Sequence, residues 1–120
     1  MVKPITNINE FLKRFDNFKD AEFRSIEVVS PTSMQLTFAT QDRARDFDWL
    51  TIALEFSGIS DAKLLDANKL AHIDMQDGIT LISKDKGIAF GIGEYKSQTS
   101  IIDSVCYILS TSVKYSEGQF

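Results

Sequence analysis

Residues 46–60 read DFDWLTIALEFSGIS, and the alternation in this stretch commits both faces of one strand. Leu50, Ile52, Leu54 and Phe56 fall on one side, while Phe47, Trp49, Thr51, Ala53 and Glu55 fall on the other. One face is therefore apolar throughout and the other mixed. Gly58 ends the run. Shorter strand-like runs on either side can pair with it, which makes it the central strand of an antiparallel sheet.

Working towards the N-terminus, the run TQDRARD (residues 40–46) reads as a solvated connection, preceded by a hairpin. Its first arm is Glu22 to Ser30, with Ile26 and Val28 on one face. Ser30-Pro31-Thr32-Ser33 supplies the turn, and Met34, Leu36 and Phe38 alternate along the second arm. Before it lies an amphipathic helix: Ile8, Phe11, Leu12, Phe15 and Phe18 recur at helical spacing, while Asn9, Glu10, Lys13, Arg14 and Asn17 face away. Asn7 can cap this helix, the Asn7–Glu10 spacing is that of a capping box, and Glu10 to Arg14 is an i,i+4 pair of favourable polarity.

Beyond Gly58, Ala62 to Leu65 reads as a short strand and Asp66 to His72 as a helical turn with Asp66 at its cap. Asp77-Gly78 signals a turn. Ile79–Ser83 and Ile88–Glu94 form a hairpin through the charged KDKG connection. Ser97 to Ser100 is a polar interruption, and a last strand is expected from about Ser104 to Tyr115. The expected fold is a single α+β domain over residues 1–120, an N-terminal helix packed on a curled, mainly antiparallel sheet of about six strands. Six strands span roughly 24 Å and a helix only about 10 Å, so one helix cannot cover such a sheet. It must curl or bury its remaining apolar face against a second subunit, and a homodimer is the expectation.

Composition sets wider bounds. With 120 residues, 43% of them apolar and 25% charged, the chain suits one folded soluble domain. A net charge of −4 argues against phosphate-driven nucleic-acid binding. The single cysteine, Cys106, rules out an intramolecular disulfide and a cysteine-based zinc site; within VCYIL it reads as a small buried hydrophobe. The N-terminal MVKPITNINE carries no apolar core of a signal peptide, and no run reaches membrane-spanning length, so a cytoplasmic protein without membrane contact is expected.

The common catalytic templates are absent: GxSxG, HExxH, CxxC, the P-loop and a full GxGxxG. Gly91-Ile92-Gly93 lies inside a strand pattern, where Ala89, Gly91 and Gly93 share a smooth face that an aromatic ring such as Trp49 or Tyr107 could cover. Asp61, Asp66, His72, Asp74 and Asp77 form an acidic stretch with one imidazole. Each aspartate has a turn or cap explanation, the spacing matches no calcium loop, and no metal or cofactor is expected. Trp49, on the mixed face beside Asp46 and Asp48, has the character of an interface hot spot. The candidate partner-binding residues are thus Trp49, Asp61, Asp66, His72, Asp74, Asp77 and Tyr107, with no catalytic residue among them.

The succession FKDAEFRSIEVVS, MQLTFAT and WLTIALEFSGISDAKL, from Phe18 to Leu65, resembles small bacterial proteins that include immunity proteins of polymorphic toxin systems. Lys19 stands where those proteins often carry a histidine, and no functional residue is carried over. The resemblance implies a binding role, so a non-enzymatic protein-binding module is the leading reading. The alternative is a small-ligand or enzymatic domain with a pocket between helix and curled sheet, using His72, Asp74 and Asp77.

Overall fold

The structure is a computed structural model that describes residues 2–84 and 87–120. In chain order its elements are β1 (Lys3–Pro4), α1 (Ile8–Arg14), β2 (Glu22–Ser30), β3 (Ser33–Asp42), β4 (Asp48–Ser57), β5 (Asp61–Lys63), β6 (Ile79–Lys84), β7 (Gly87–Ile92), α2 (Gln98–Ile101), β8 (Tyr107–Ser110) and β9 (Ser112–Gln119), with 3-10 turns at Asp16–Phe18, Arg43–Arg45 and Ala67–His72. The class is α+β and mostly strand. The alternation of residues 46–60 is realised in β4, whose Leu50, Ile52, Leu54 and Phe56 are all buried. It is the middle strand of a sheet ordered β1-β9-β4-β3-β2. The β2–β3 hairpin falls where its turn residues place it, with Ser30 opposite Ser33.

The single curled sheet of about six strands is replaced by two antiparallel sheets, the second ordered β5-β8-β7-β6. The sheets face each other, and the Phe90 ring lies 6.4 Å from that of Phe38 and 5.3 Å from that of Phe56. One corner explains the difference. Gly58 takes a positive φ of 67° after β4, and a Cβ there would collide with the Thr111 side chain. Thr111 in turn donates its backbone N–H to the Ser57 carbonyl at 3.1 Å. The expected last strand is broken at this residue, so β8 stays in one sheet and β9 crosses to the other. Strands that change sheets at a sharp bend make a two-layer core, and apolar residues of the two layers pack into one buried cluster.

Asn7 caps α1 as expected, its Oδ1 accepting from the Glu10 N–H at 3.1 Å. The helix ends at Arg14, one turn earlier than the apolar stripe indicates. Asp16, Asn17 and Phe18 then take consecutive left-handed conformations, with φ of 52°, 56° and 62°. This turn returns Phe18 to the stripe. Phe11, Phe15 and Phe18 stack together at 5.2–5.9 Å, with Phe18 reaching Phe38 and Phe11 reaching Tyr115. These rings fill the space between helix and sheets.

Three smaller expectations are also corrected. The smooth face at Gly91 is met first by Ile101 and Tyr95, which a Gly91 Cβ would meet at 3.2 and 3.5 Å, while Tyr107 stands opposite Gly91 in the β7–β8 register. The polar run Ser97–Ser100 interrupts nothing; it is the capping box of α2. Asp66 occupies the cap position of its 3-10 turn without a side-chain hydrogen bond there. The β6–β7 hairpin forms as expected, while Asp85 and Lys86 of its KDKG connection lie outside the described residues. Among the described residues, no helix is long and apolar enough to cross a membrane.

Candidate functional site

The site begins with a carboxylate that the sequence assigns to solvent. Asp42, in the charged run 40–46, ends β3 on its inward face, and its side chain is 0% exposed. A buried charge must be paired and hydrogen-bonded to be tolerated. Arg14 meets that need, donating from Nε to Oδ1 at 2.9 Å and from Nη2 to Oδ2 at 2.7 Å. Its Nη2 also donates to Glu117 Oε1 at 2.8 Å. Arg14 thus faces inward and leaves the expected pairing with Glu10 unmade. Arg45 lies 3.6 Å from Asp42 and 3.4 Å from Glu117, and Lys3 lies 3.7 Å from Glu117. The Arg14 hydrogen bonds hold the Asp42 carboxyl below its usual range against the opposing effect of burial, and the same pair raises the Arg14 guanidinium.

This pair positions the next turn. Asp42 Oδ1 accepts the Ala44 N–H at 2.9 Å and caps the 3-10 turn Arg43–Arg45. Its backbone carbonyl accepts the Phe47 N–H at 2.9 Å, and Gln41 Nε2 donates to the Phe47 carbonyl at 3.2 Å. Between these bonds, Asp46 and Phe47 adopt φ of 55° and 65°. A left-handed backbone disfavours any side chain beyond glycine and is a true outlier for a bulky one. Phe47 is nevertheless held there with its side chain out in solvent, 54% exposed.

Two further aromatic side chains complete the surface. Trp49 alternates with Leu50 on β4 and so projects from the outer face, 40% exposed. The Phe120 ring packs against it at 5.4 Å, and the Arg24 guanidinium sits 4.6 Å from the Phe120 centroid. Phe47 and Trp49 border a cleft of about 120 Å³ together with Thr40, Arg43, Lys19 and Asp20. Every described non-glycine residue with positive φ belongs to the two segments around this cleft, 16–20 and 46–47.

The remaining sequence candidates are dispersed. Asp61 on β5 accepts a hydrogen bond from the Tyr107 hydroxyl at 2.9 Å, which raises the tyrosine's pKa. Tyr107 projects from the outer face of the four-stranded sheet, the layer opposite Trp49. Asp66 and His72 bracket the 3-10 turn packed against β2, and Asp74 accepts the Gln76 N–H at 2.9 Å within its own turn. Asp77 precedes Gly78, whose φ is 71°. Asp61 and Tyr107 are the one pair brought into contact by a hydrogen bond. Among the described residues, no three His, Cys, Asp or Glu side chains are grouped as metal ligands, and no buried side-chain polar atom lacks a hydrogen-bond partner. Cys106 is fully buried, and burial pushes its thiol up to about 12.

Of the residues gathered at this surface, the sequence singles out Trp49 as a candidate and not Phe47, Phe120, Arg14 or Asp42. The signal for Phe47 was present in its exposed-side parity with Trp49. No single-sequence pattern pairs Arg14 with Asp42, because their contact depends on how α1 lies across the end of β3. No protein-family model, curated protein or solved structure matches the chain.

Proposed function

We propose that this chain is a non-enzymatic protein-binding module that docks its partner on Phe47, Trp49 and Phe120. The observation that carries this reading is Phe47: a bulky residue fixed in a left-handed conformation with its ring in water. Strained backbone gathers where a site must be preorganised, and aromatic anchors beside arginine are the composition of interface hot spots. The partner presents an apolar patch that receives the three aromatic side chains, with hydrogen-bond acceptors for Arg43 and Arg24 at its rim.

Enzymatic chemistry has weaker support. The Cys106 thiol is buried and mostly protonated at neutral pH, and His72, Asp74 and Asp77 do not line the cleft beside Phe47 and Trp49. A basic toxin domain as partner is the narrower, immunity-like form of the reading, and a second copy of the chain is the alternative occupant.

The test is affinity capture from the source cell with the native chain and with the Phe47→Ser/Trp49→Ala double variant, paired with sedimentation of each. The reading expects a discrete protein captured by the native chain and released by the variant, with both chains equally folded, since hot-spot truncations remove about 2 kcal/mol or more of binding. Equal capture by both chains overturns it. So does sedimentation of the native chain as a dimer that the variant dissociates, which would assign the surface to self-association.

A further inference from the structure

The aromatic surface joins two parts of the chain that are far apart in sequence. Phe47 follows the 3-10 turn after β3, and Phe120 follows β9, where Gln119 pairs with Leu50 and the Phe120 ring packs on Trp49 at 5.4 Å. Both parts are anchored from the interior. Asp42 lies on the inward face of β3, and Glu117 stands opposite the fully buried Ile52. Residues directly opposite across an antiparallel pair share a face, so Glu117 also points inward. One nitrogen holds the two carboxylates: Arg14 Nη2 donates to Asp42 Oδ2 at 2.7 Å and to Glu117 Oε1 at 2.8 Å.

A donor shared in this way makes the two positions interdependent, because like charges this close repel unless a cation stands between them. The guanidinium is itself fixed. Arg14 is the last residue of α1, its Nε makes the second bond to Asp42 at 2.9 Å, and its Cζ lies 4.8 Å from the centroid of the buried Phe15 ring. A planar fork can serve two acceptors in set directions, which a lysine ammonium on a flexible stem cannot. Arg45 and Lys3 also approach the carboxylates, but their side chains are 60% and 52% exposed, and ion pairs so exposed contribute little.

We propose that Arg14 is the positioning residue of the docking surface: its one guanidinium couples the Phe47 turn to the Phe120 end of β9, so that loosening either anchor loosens the other. From Asp42 the coupling runs through Oδ1, which accepts the Ala44 N–H, and through the carbonyl that accepts the Phe47 N–H. From Glu117 it runs along the end of β9 to Phe120. A partner that engages one ring therefore meets the other already in place, which lowers the ordering cost of binding. The use of the coupling rests on the docking reading, whereas the coupling itself is a property of the free chain. β4 also lies between the two parts, since Trp49 pairs with Gln41 and Leu50 with Gln119, and Arg14→Lys separates that route from the fork.

The test is amide hydrogen exchange of the free ¹⁵N-labelled chain. Glu117→Gln is expected to speed exchange at Phe47 by about threefold or more relative to the β6–β7 ladder of the other sheet, the order of coupling found within one hydrogen-bond network. Asn in place of Asp42 is expected to do the same at residues 117–119. Arg14→Lys keeps the charge and removes the fork, and in that background each carboxyl substitution should act on its own strand alone. The Glu117→Gln arm decides by itself if the Asp42→Asn chain does not fold. No change at Phe47, an equal rise across the β6–β7 ladder, or a cross-effect undiminished by Arg14→Lys would each overturn the proposal. Because no partner is present, a cross-effect alongside failed capture upholds the coupling and removes the docking reading, and capture without a cross-effect does the reverse.

Discussion

Phe18 and Phe47 occupy left-handed backbone at nearly the same φ, 62° and 65°, yet one ring is fully buried and the other is mostly in solvent. Both conformations cost on the order of 1–2 kcal/mol. At Phe18 the cost is offset within the fold, because the turn carries the ring into the cluster of Phe11, Phe15 and Phe38. At Phe47 no comparable burial offsets it, and the hydrogen bonds of the Phe47 N–H to the Asp42 carbonyl and of Gln41 to the Phe47 carbonyl keep the turn in place. The first turn is explained by stability. The second is explained by what it presents, and substitutions should separate the two.

The largest effect is expected from Phe18→Ala, which should lower unfolding free energy by about 3–5 kcal/mol through lost transfer energy and a residual cavity. Phe47→Ala should change it by less than about 0.5 kcal/mol. Urea melts of the two variants check this directly. Equal losses would mean that Phe47 is packed in solution and that the contrast fails.

Gly78→Ala should act on the first turn alone. Gly78 has a positive φ, and a Cβ there would press on the Asn17 carbonyl inside the left-handed turn. Backbone strain and displacement together predict a loss of about 2–4 kcal/mol. Capture through the Phe47 surface should survive at temperatures where the variant stays folded. Loss of binding by the folded variant would show that the two turns are coupled across their shared cleft.

How much of this could be read from the sequence follows from the range of the interactions. The strand alternation of residues 46–60 and the β2–β3 turn are local patterns, and both are in the structure where the residues place them. The stripe of phenylalanines marked the right core partners, but three successive left-handed residues ended the helix early, and Asp-Asn-Phe carries no pattern that announces such a turn. The change of sheets at Gly58 and Thr111 depends on one glycine meeting one threonine across more than fifty residues of chain, and periodicity is blind to that. Charge misled at Asp42. Most charged runs are solvated, and only the distant Arg14 and Glu117 make this one an interior feature.

Asp42→Asn tests the support of the second turn. It removes one charge of a pair and leaves Arg14 with Glu117 alone, for an expected loss of about 2–3 kcal/mol. The pH dependence has a definite sign. Because the folded carboxyl titrates below the unfolded value near 4, its contribution is complete above about pH 4 and is lost as pH falls through the lower folded value. Native protein should therefore lose stability on acidification below about pH 4, and the asparagine variant should show a shallower slope there. Identical slopes would remove Asp42 from the mechanism.

The smallest effect is expected at Phe47 itself, and its direction is the informative part. Phe47→Gly relieves the left-handed strain, about 1–2 kcal/mol, while glycine gives back roughly 0.5–1 kcal/mol in unfolded-chain entropy. The net is a gain of about 0.5–1 kcal/mol, readable as a rise in the urea midpoint at unchanged slope. If the ring is there for a partner, the more stable variant should also be the one that captures it least, the trade-off expected where a site keeps a strained residue. A variant that is both more stable and fully competent in capture would leave Trp49 and Phe120 as the binding surface and Phe47 as strain without a role in recognition.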